Sequence, residues 1–126
     1  MGRKIIGIGA LLAGLAVVLG AFGAHALEEF LIENNRLDTY ETAVRYHMYH
    51  SLALLFLGLL MQHQPAKLLK VSAYLLMVGI FIFSGSLYVL CATGITILGA
   101  ITPIGGLLLI IAWLLIAFTM LRKSLA

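Results

Sequence analysis

Long apolar runs limit this chain more than any other feature. Water is absent from a bilayer core, so a segment that enters it must satisfy every backbone amide internally, as a helix does. Such a helix needs roughly 20 apolar residues. Four stretches meet or nearly meet that length, predicting helices at about 5–27, 39–62, 66–92 and 103–121. The second is the weakest, since its spanning part is nearer Met48–Met61 and slightly short by hydropathy. A soluble domain runs near half apolar; here 63% of residues are hydrophobic. The expected fold is all-α, a single domain over 1–126 forming an integral membrane four-helix bundle.

The first run has a competing reading. Arg3 and Lys4 precede it, and Ala24-His25-Ala26 fits the small-x-small pattern of a signal-peptide cleavage site. The apolar stretch from Ile5 to Phe22 exceeds the usual h-region of about 7–15 residues, so a retained helix is expected. Gly9, Ala13, Ala16, Gly20 and Gly23 recur at steps of three and four. That places small residues on one face, where helices in lipid approach closely.

Charge placement sets orientation. Arg3, Lys4, Lys67, Lys70, Arg122 and Lys123 fall on the side shared by both termini and the second loop, against Arg36 and Arg45 on the other. Six cations against two favour both termini inside. All five acids, Glu28, Glu29, Glu33, Asp38 and Glu41, lie in or beside the first loop, which then faces outward. Basic residues that flank apolar runs are topology signals and do not form a nucleic-acid face. Cys91 is the only cysteine, so no disulfide closes within the chain.

The connecting segments carry finer signals. Glu28 to Asp38 suits a short interfacial helix ending at Asn34-Asn35. Asp38 and Glu41 have the spacing of a capping box. Thr102-Pro103 suits an N-cap and first helical residue, with a proline kink in a helix starting near Ile97 as the alternative. In the third helix Tyr74, Met77, Phe81, Ser84, Tyr88 and Cys91 form a heptad face expected to point inward. Gly105, Ala112 and Thr119 mark a packing face in the fourth.

Polar residues inside these spans are the candidates for chemistry. His25, Tyr46, His47, His50, Ser84 and Tyr88 are expected at one level, near the outer boundary of the bilayer. His47 and His50 share a helix face. With His25 they suggest a three-histidine metal site, with Glu28, Glu29 or Glu41 as a carboxylate ligand. The spacing is not HExxH, and a hydrogen-bonded polar network explains the same residues. Arg45, four residues after Glu41, forms a surface ion pair or binds a carboxylate or lipid phosphate. No phosphate loop, dinucleotide fingerprint or nucleophile elbow is present, and no cofactor is indicated.

Four blocks carry a family resemblance. Gly20-Ala21-Phe22-Gly23-Ala24-His25-Ala26-Leu27 resembles the signature of the domain-of-unknown-function 423 family, small bacterial membrane proteins with a eukaryotic relative called transmembrane protein 256. Thr39 to Ser51, Phe83 to Tyr88 and Ile101 to Gly106 resemble its further blocks, so the likeness spans nearly the whole chain. It implies a four-helix protein of the bacterial cytoplasmic membrane and brings no activity, substrate or cofactor.

Three functions follow as expectations. The first is a non-enzymatic protein binding a small ligand, ion or lipid headgroup through His25, Arg45, Tyr46, His47, His50, Ser84 and Tyr88. The second is a metal-dependent membrane enzyme using His25, His47 and His50. The third is an assembly subunit whose glycine stripes contact partners, the bilayer and a second copy of the chain being the partners in view. Transport by one such chain is disfavoured, because alternating access uses repeats and broken helices.

Overall fold

A computed structural model describes residues 1–124, and the described residues form helices and no strands. α1 spans Gly2–Ala24, α2 Glu28–Glu33, α3 Leu37–His63, α4 Lys67–Thr93 and α5 Leu98–Ser124. Three of them, α1, α4 and the Leu98–Arg122 part of α5, are long and apolar enough to cross a membrane. α3 matches α4 in length. Asp38, Glu41, Arg45 and two histidines in its first half keep it out of that set.

The expected short helix and its turn are present as α2. Asn35 takes a left-handed conformation, φ 54°. The Arg36 amide returns to the Leu31 carbonyl at 2.8 Å and the Asn35 amide to Ile32 at 3.0 Å. This double closure is a Schellman stop. It brings Leu37 against the buried cluster of Leu31, Tyr40 and Cys91. α3 therefore begins with Arg36 as its N-cap and no side-chain cap, so Asp38 does not cap it as the capping box expected. Between α4 and α5, Gly94 closes α4 in the left-handed region, φ 72°.

α5 starts at Leu98, five residues before the expected boundary, and Pro103 lies inside it. The helix that begins near Ile97 is thus the reading that holds. The Thr102 hydroxyl contacts the Leu98 carbonyl at 3.2 Å and the Ser86 hydroxyl at 2.7 Å, so it joins α5 to α4 and caps nothing.

The long helices pack in the order α1, α3, α4, α5, each antiparallel to the next, as two close pairs joined along α3 and α4. Glycines set the closeness. A Cβ on Gly2 would lie 2.5 Å from the Gly58 carbonyl oxygen, and one on Gly9 3.0 Å from the Ser51 carbonyl oxygen. Gly23 leaves room for the ring of Tyr40, which a Cβ there would overlap. A Cβ on Gly105 would overlap the backbone of Phe83. The expected small faces hold: Gly9, Ala16 and Gly23 are buried on α1, and Gly105, Ala112 and Thr119 on α5.

The heptad on α4 is corrected. Tyr74 and Phe81 face outward, at 49% and 64% exposure. The buried positions are instead Leu69, Ala73, Leu76 and Ile80, continuing to Ser84, Leu87 and Cys91. α4 touches a helix on each side, so its buried stripe is wider than one seam and lies partly beside the expected one. The apolar core runs along both pairs through Ile5, Leu12, Leu54, Leu57, Leu76 and Leu109.

Candidate functional site

Helix α3 buries Tyr40, Ala43, His47, His50, Ser51 and Leu54, a face with steps of three and four. Two histidines in this face take unlike surroundings. His47 turns to α1 and α4. Its Nδ1 lies 3.1 Å from the Tyr88 hydroxyl, and the residue is 3% exposed. Its Nε2 is buried, opposite the Leu12 backbone carbonyl, and has no partner in hydrogen-bonding geometry. His50 turns to α5. Its Nδ1–H donates to the Tyr46 carbonyl at 2.7 Å, and its ring lies 5.9 Å from that of Tyr46 and 6.2 Å from that of Trp113.

The other candidates separate into groups. The Ser84 hydroxyl donates to the Ala43 carbonyl at 2.8 Å, fully buried between α3 and α4. Tyr46 is half exposed and stacks on Phe83, 4.7 Å between centroids. Arg45 pairs with Glu41 at 2.6 Å, both side chains well exposed. That pair contributes about 0.5 kcal/mol or less. It edges a cleft of about 360 Å³ formed with Gly20, Gly23, Glu28 and Tyr40. His25 follows the last residue of α1 and is exposed. Among the described residues no three His, Cys, Asp or Glu side chains gather to hold a metal ion.

His47, Ser84 and Tyr88 do come together. They line one side of a cavity of about 100 Å³ between α1, α3 and α4, whose remaining walls are apolar. Its level is a finding as well. His47 sits across from Leu12, near the middle of the Gly2–Ala24 helix, and Ser51 across from Gly9. The histidines therefore lie halfway along α1, not at its end as hydropathy suggested. The polar turns of α3 lie along the C-terminal half of α1 because Gly23 admits Tyr40 there.

Tyr40 is a member that the sequence reading did not single out. Its hydroxyl donates to the Leu19 carbonyl at 2.6 Å, bridging α3 to α1. Its ring meets that of Tyr88 edge-on at 5.4 Å. The signal was present, since Tyr40 precedes His47 by one heptad. Trp113 carried no such signal, because only the pairing of distant helices brings it to His50.

Comparison with known proteins agrees with the resemblance found in the sequence. The model of the family described as protein of unknown function (DUF423) matches residues 19–106. The UPF0382 membrane protein YwdK of Bacillus subtilis is 46% identical over 115 residues, 90% of this chain and 93% of its own. A UPF0382 membrane protein of Staphylococcus epidermidis is 47% identical over 120 residues, 95% and 97% of the two chains. One from Staphylococcus saprophyticus is 49% identical over 114 residues, 90% and 93%. No solved structure matches.

Proposed function

The chain belongs to the DUF423 family of membrane proteins, and from that premise we propose that it is a four-span binding protein of the bacterial cytoplasmic membrane, with both termini inside and a ligand site centred on His47. The crossing of α3 is supported by its partner. α3 lies antiparallel along α1 from Tyr40, opposite Gly23, to Gly58, opposite Gly2. A helix packed so closely along a spanning helix shares its layer. Its polar side chains are then turned inward or held at the acidic end. Six of the eight cations lie at the other end, which supports the inside orientation.

One observation carries the binding function. A polar nitrogen that is buried and unpartnered costs stability, and ionisable residues within a membrane span are expensive to keep there. The Nε2 of His47 is such an atom; it is fully covered, and the side chain that carries it lines a cavity toward which the ring can turn. A ligand that completes its hydrogen bond removes the cost. The remaining polar atoms near it already have backbone partners: Ser51 bonds the His47 carbonyl at 2.7 Å and Ser84 the Ala43 carbonyl. Those serines are structural pins, and His47 is the group left for a ligand.

The test is mass spectrometry of organic extracts from protein purified out of its own membrane. Wild type is expected to retain a small molecule in stoichiometric amount that the His47→Leu variant loses. Equal extracts from the two proteins would overturn the binding site.

A further inference from the structure

We propose that the cleft at the acidic end of α1 and α3 holds the headgroup of a zwitterionic phospholipid that carries a primary ammonium. This site is separate from the one at His47 and takes from the reading above only the crossing of α3.

The cleft is built where three helices meet. Gly20 and Gly23 of α1 line one side, Glu28 at the start of α2 stands at the aqueous end, and Glu41 and Arg45 rise from α3. Two contacts fix the levels. Gly23 lies against the ring of Tyr40, and Gly20 against Val44, where a Cβ would come within 3.2 Å of Cγ1. Arg45 therefore springs from α3 one turn deeper than Glu41. The cleft measures about 360 Å³. Ligand sites begin at about 300 Å³, so this one takes a headgroup and leaves two acyl chains outside.

Charge narrows the class. Arg45 gives Glu41 one hydrogen bond from Nη2 at 2.6 Å. A guanidinium has further N–H donors, which are left for a second oxygen. Glu28 is exposed and, among the described residues, has no cation within ion-pair reach. Two carboxylates against one guanidinium leave the lining net negative, which disfavours a purely anionic headgroup. From the aqueous end inward the cleft offers a free carboxylate and then the guanidinium. A phospholipid in that leaflet presents its ammonium outermost and its phosphate beneath. The two orders match, with ammonium on Glu28 and phosphate on Arg45. A primary ammonium brings three N–H donors to carboxylates. A quaternary one brings none and is held by aromatic cages, whereas Tyr40 is the only ring in the lining among the described residues.

The surface below the cleft favours a lipid over a free phosphoester. Met48 and Leu52 follow Arg45 at steps of three and four, and Leu52 is 40% exposed. Val17 precedes Gly20 by three residues on α1 and is 61% exposed. Acyl chains leaving the cleft run down this open apolar surface, a contact that a water-soluble ester lacks.

Native mass spectrometry of the detergent-solubilised protein tests the proposal with three lipids that share dioleoyl chains: phosphatidylethanolamine, phosphatidylglycerol and phosphatidylcholine. One phosphatidylethanolamine is expected to bind with an apparent Kd about fivefold below the other two, the upper range for a solvent-edged ion pair. Glu28→Gln should erase that preference. Arg45→Gln should weaken all three lipids alike, since all carry the phosphate. Glu33→Gln, on α2 outside the lining, should change nothing. All three positions are exposed, so the variants are expected to fold. Soluble glycerophosphoethanolamine at equal concentration should not displace the lipid. Equal Kd for the three lipids, a preference that survives Glu28→Gln, unchanged binding in Arg45→Gln, or the same loss in Glu33→Gln would overturn the proposal. Displacement by the soluble ester would overturn it as a lipid site and make the ligand a free phosphoester.

Discussion

At the scale of single residues, the three histidines near α3 should separate by what their nitrogens do. His63 is exposed in the last turn of α3. Its replacement by alanine should change thermal stability in detergent by less than about 0.5 kcal/mol. His50→Ala removes the bond to the Tyr46 carbonyl and the packing on Trp113, and should cost about 1–3 kcal/mol. His47 should behave unlike either. In ligand-free protein its Nε2 makes no bond, so His47→Leu combined with Tyr88→Phe removes one satisfied pair and one unsatisfied atom together. The double variant should melt no lower than wild type once lipophilic ligand has been stripped. A loss of several degrees would make the His47–Tyr88 pair a structural link. The sequence showed the residue types of this site and their helix face. It did not show which nitrogen lacks a partner, because that depends on where Tyr88 and Leu12 arrive from other helices.

At the scale of elements, glycine spacing was legible and helix boundaries less so. A small residue every seventh position means a close approach whatever the partner, so Gly105, Ala112 and Thr119 were readable as a seam. The start of α5 was not. Thr102-Pro103 has the letters of a helix start, yet the hydroxyl of Thr102 is taken by Ser86 across the α4–α5 contact. Asp38 and Glu41 have the letters of a cap, yet the left-handed turn at Asn35 had already delivered the chain into helix at Leu37. Tertiary contacts decided in both cases. The seam makes its own prediction. Gly105→Ala drives a methyl into the Phe83 backbone and must push α4 and α5 apart, costing about 1–3 kcal/mol. Gly14→Ala meets nothing and removes a flexible residue from a helix interior, so it should be neutral or stabilising by up to about 1 kcal/mol. Melting curves of the two variants beside wild type check the contrast; equal behaviour would mean the close α4–α5 contact is absent in the folded protein.

At the scale of the whole molecule, hydrophobic runs made the helical class legible, and the pairing of helices was not. Small-residue stripes specify closeness without naming a partner, so the order α1, α3, α4, α5 emerges only in the packed chain. That order bears on topology. α1, α4 and α5 have the composition of spans, and three crossings would put the termini on opposite sides. The count turns on α3, which returns the chain along α1 from the acidic loop to the Lys67 end. If α3 crosses, residue 34 and residue 63 face opposite compartments. With Cys91→Ala as background, Asn34→Cys should react with a membrane-impermeant maleimide in intact cells, and His63→Cys only after permeabilisation. Reaction of both from outside would mean that α3 does not cross, and the reversed pattern would invert the orientation. Two of the three outcomes remove His47 from mid-membrane or turn the acidic loop inward. The expected one leaves a buried imidazole, held by Tyr88 through Nδ1 and unpartnered at Nε2, halfway along a membrane helix pair.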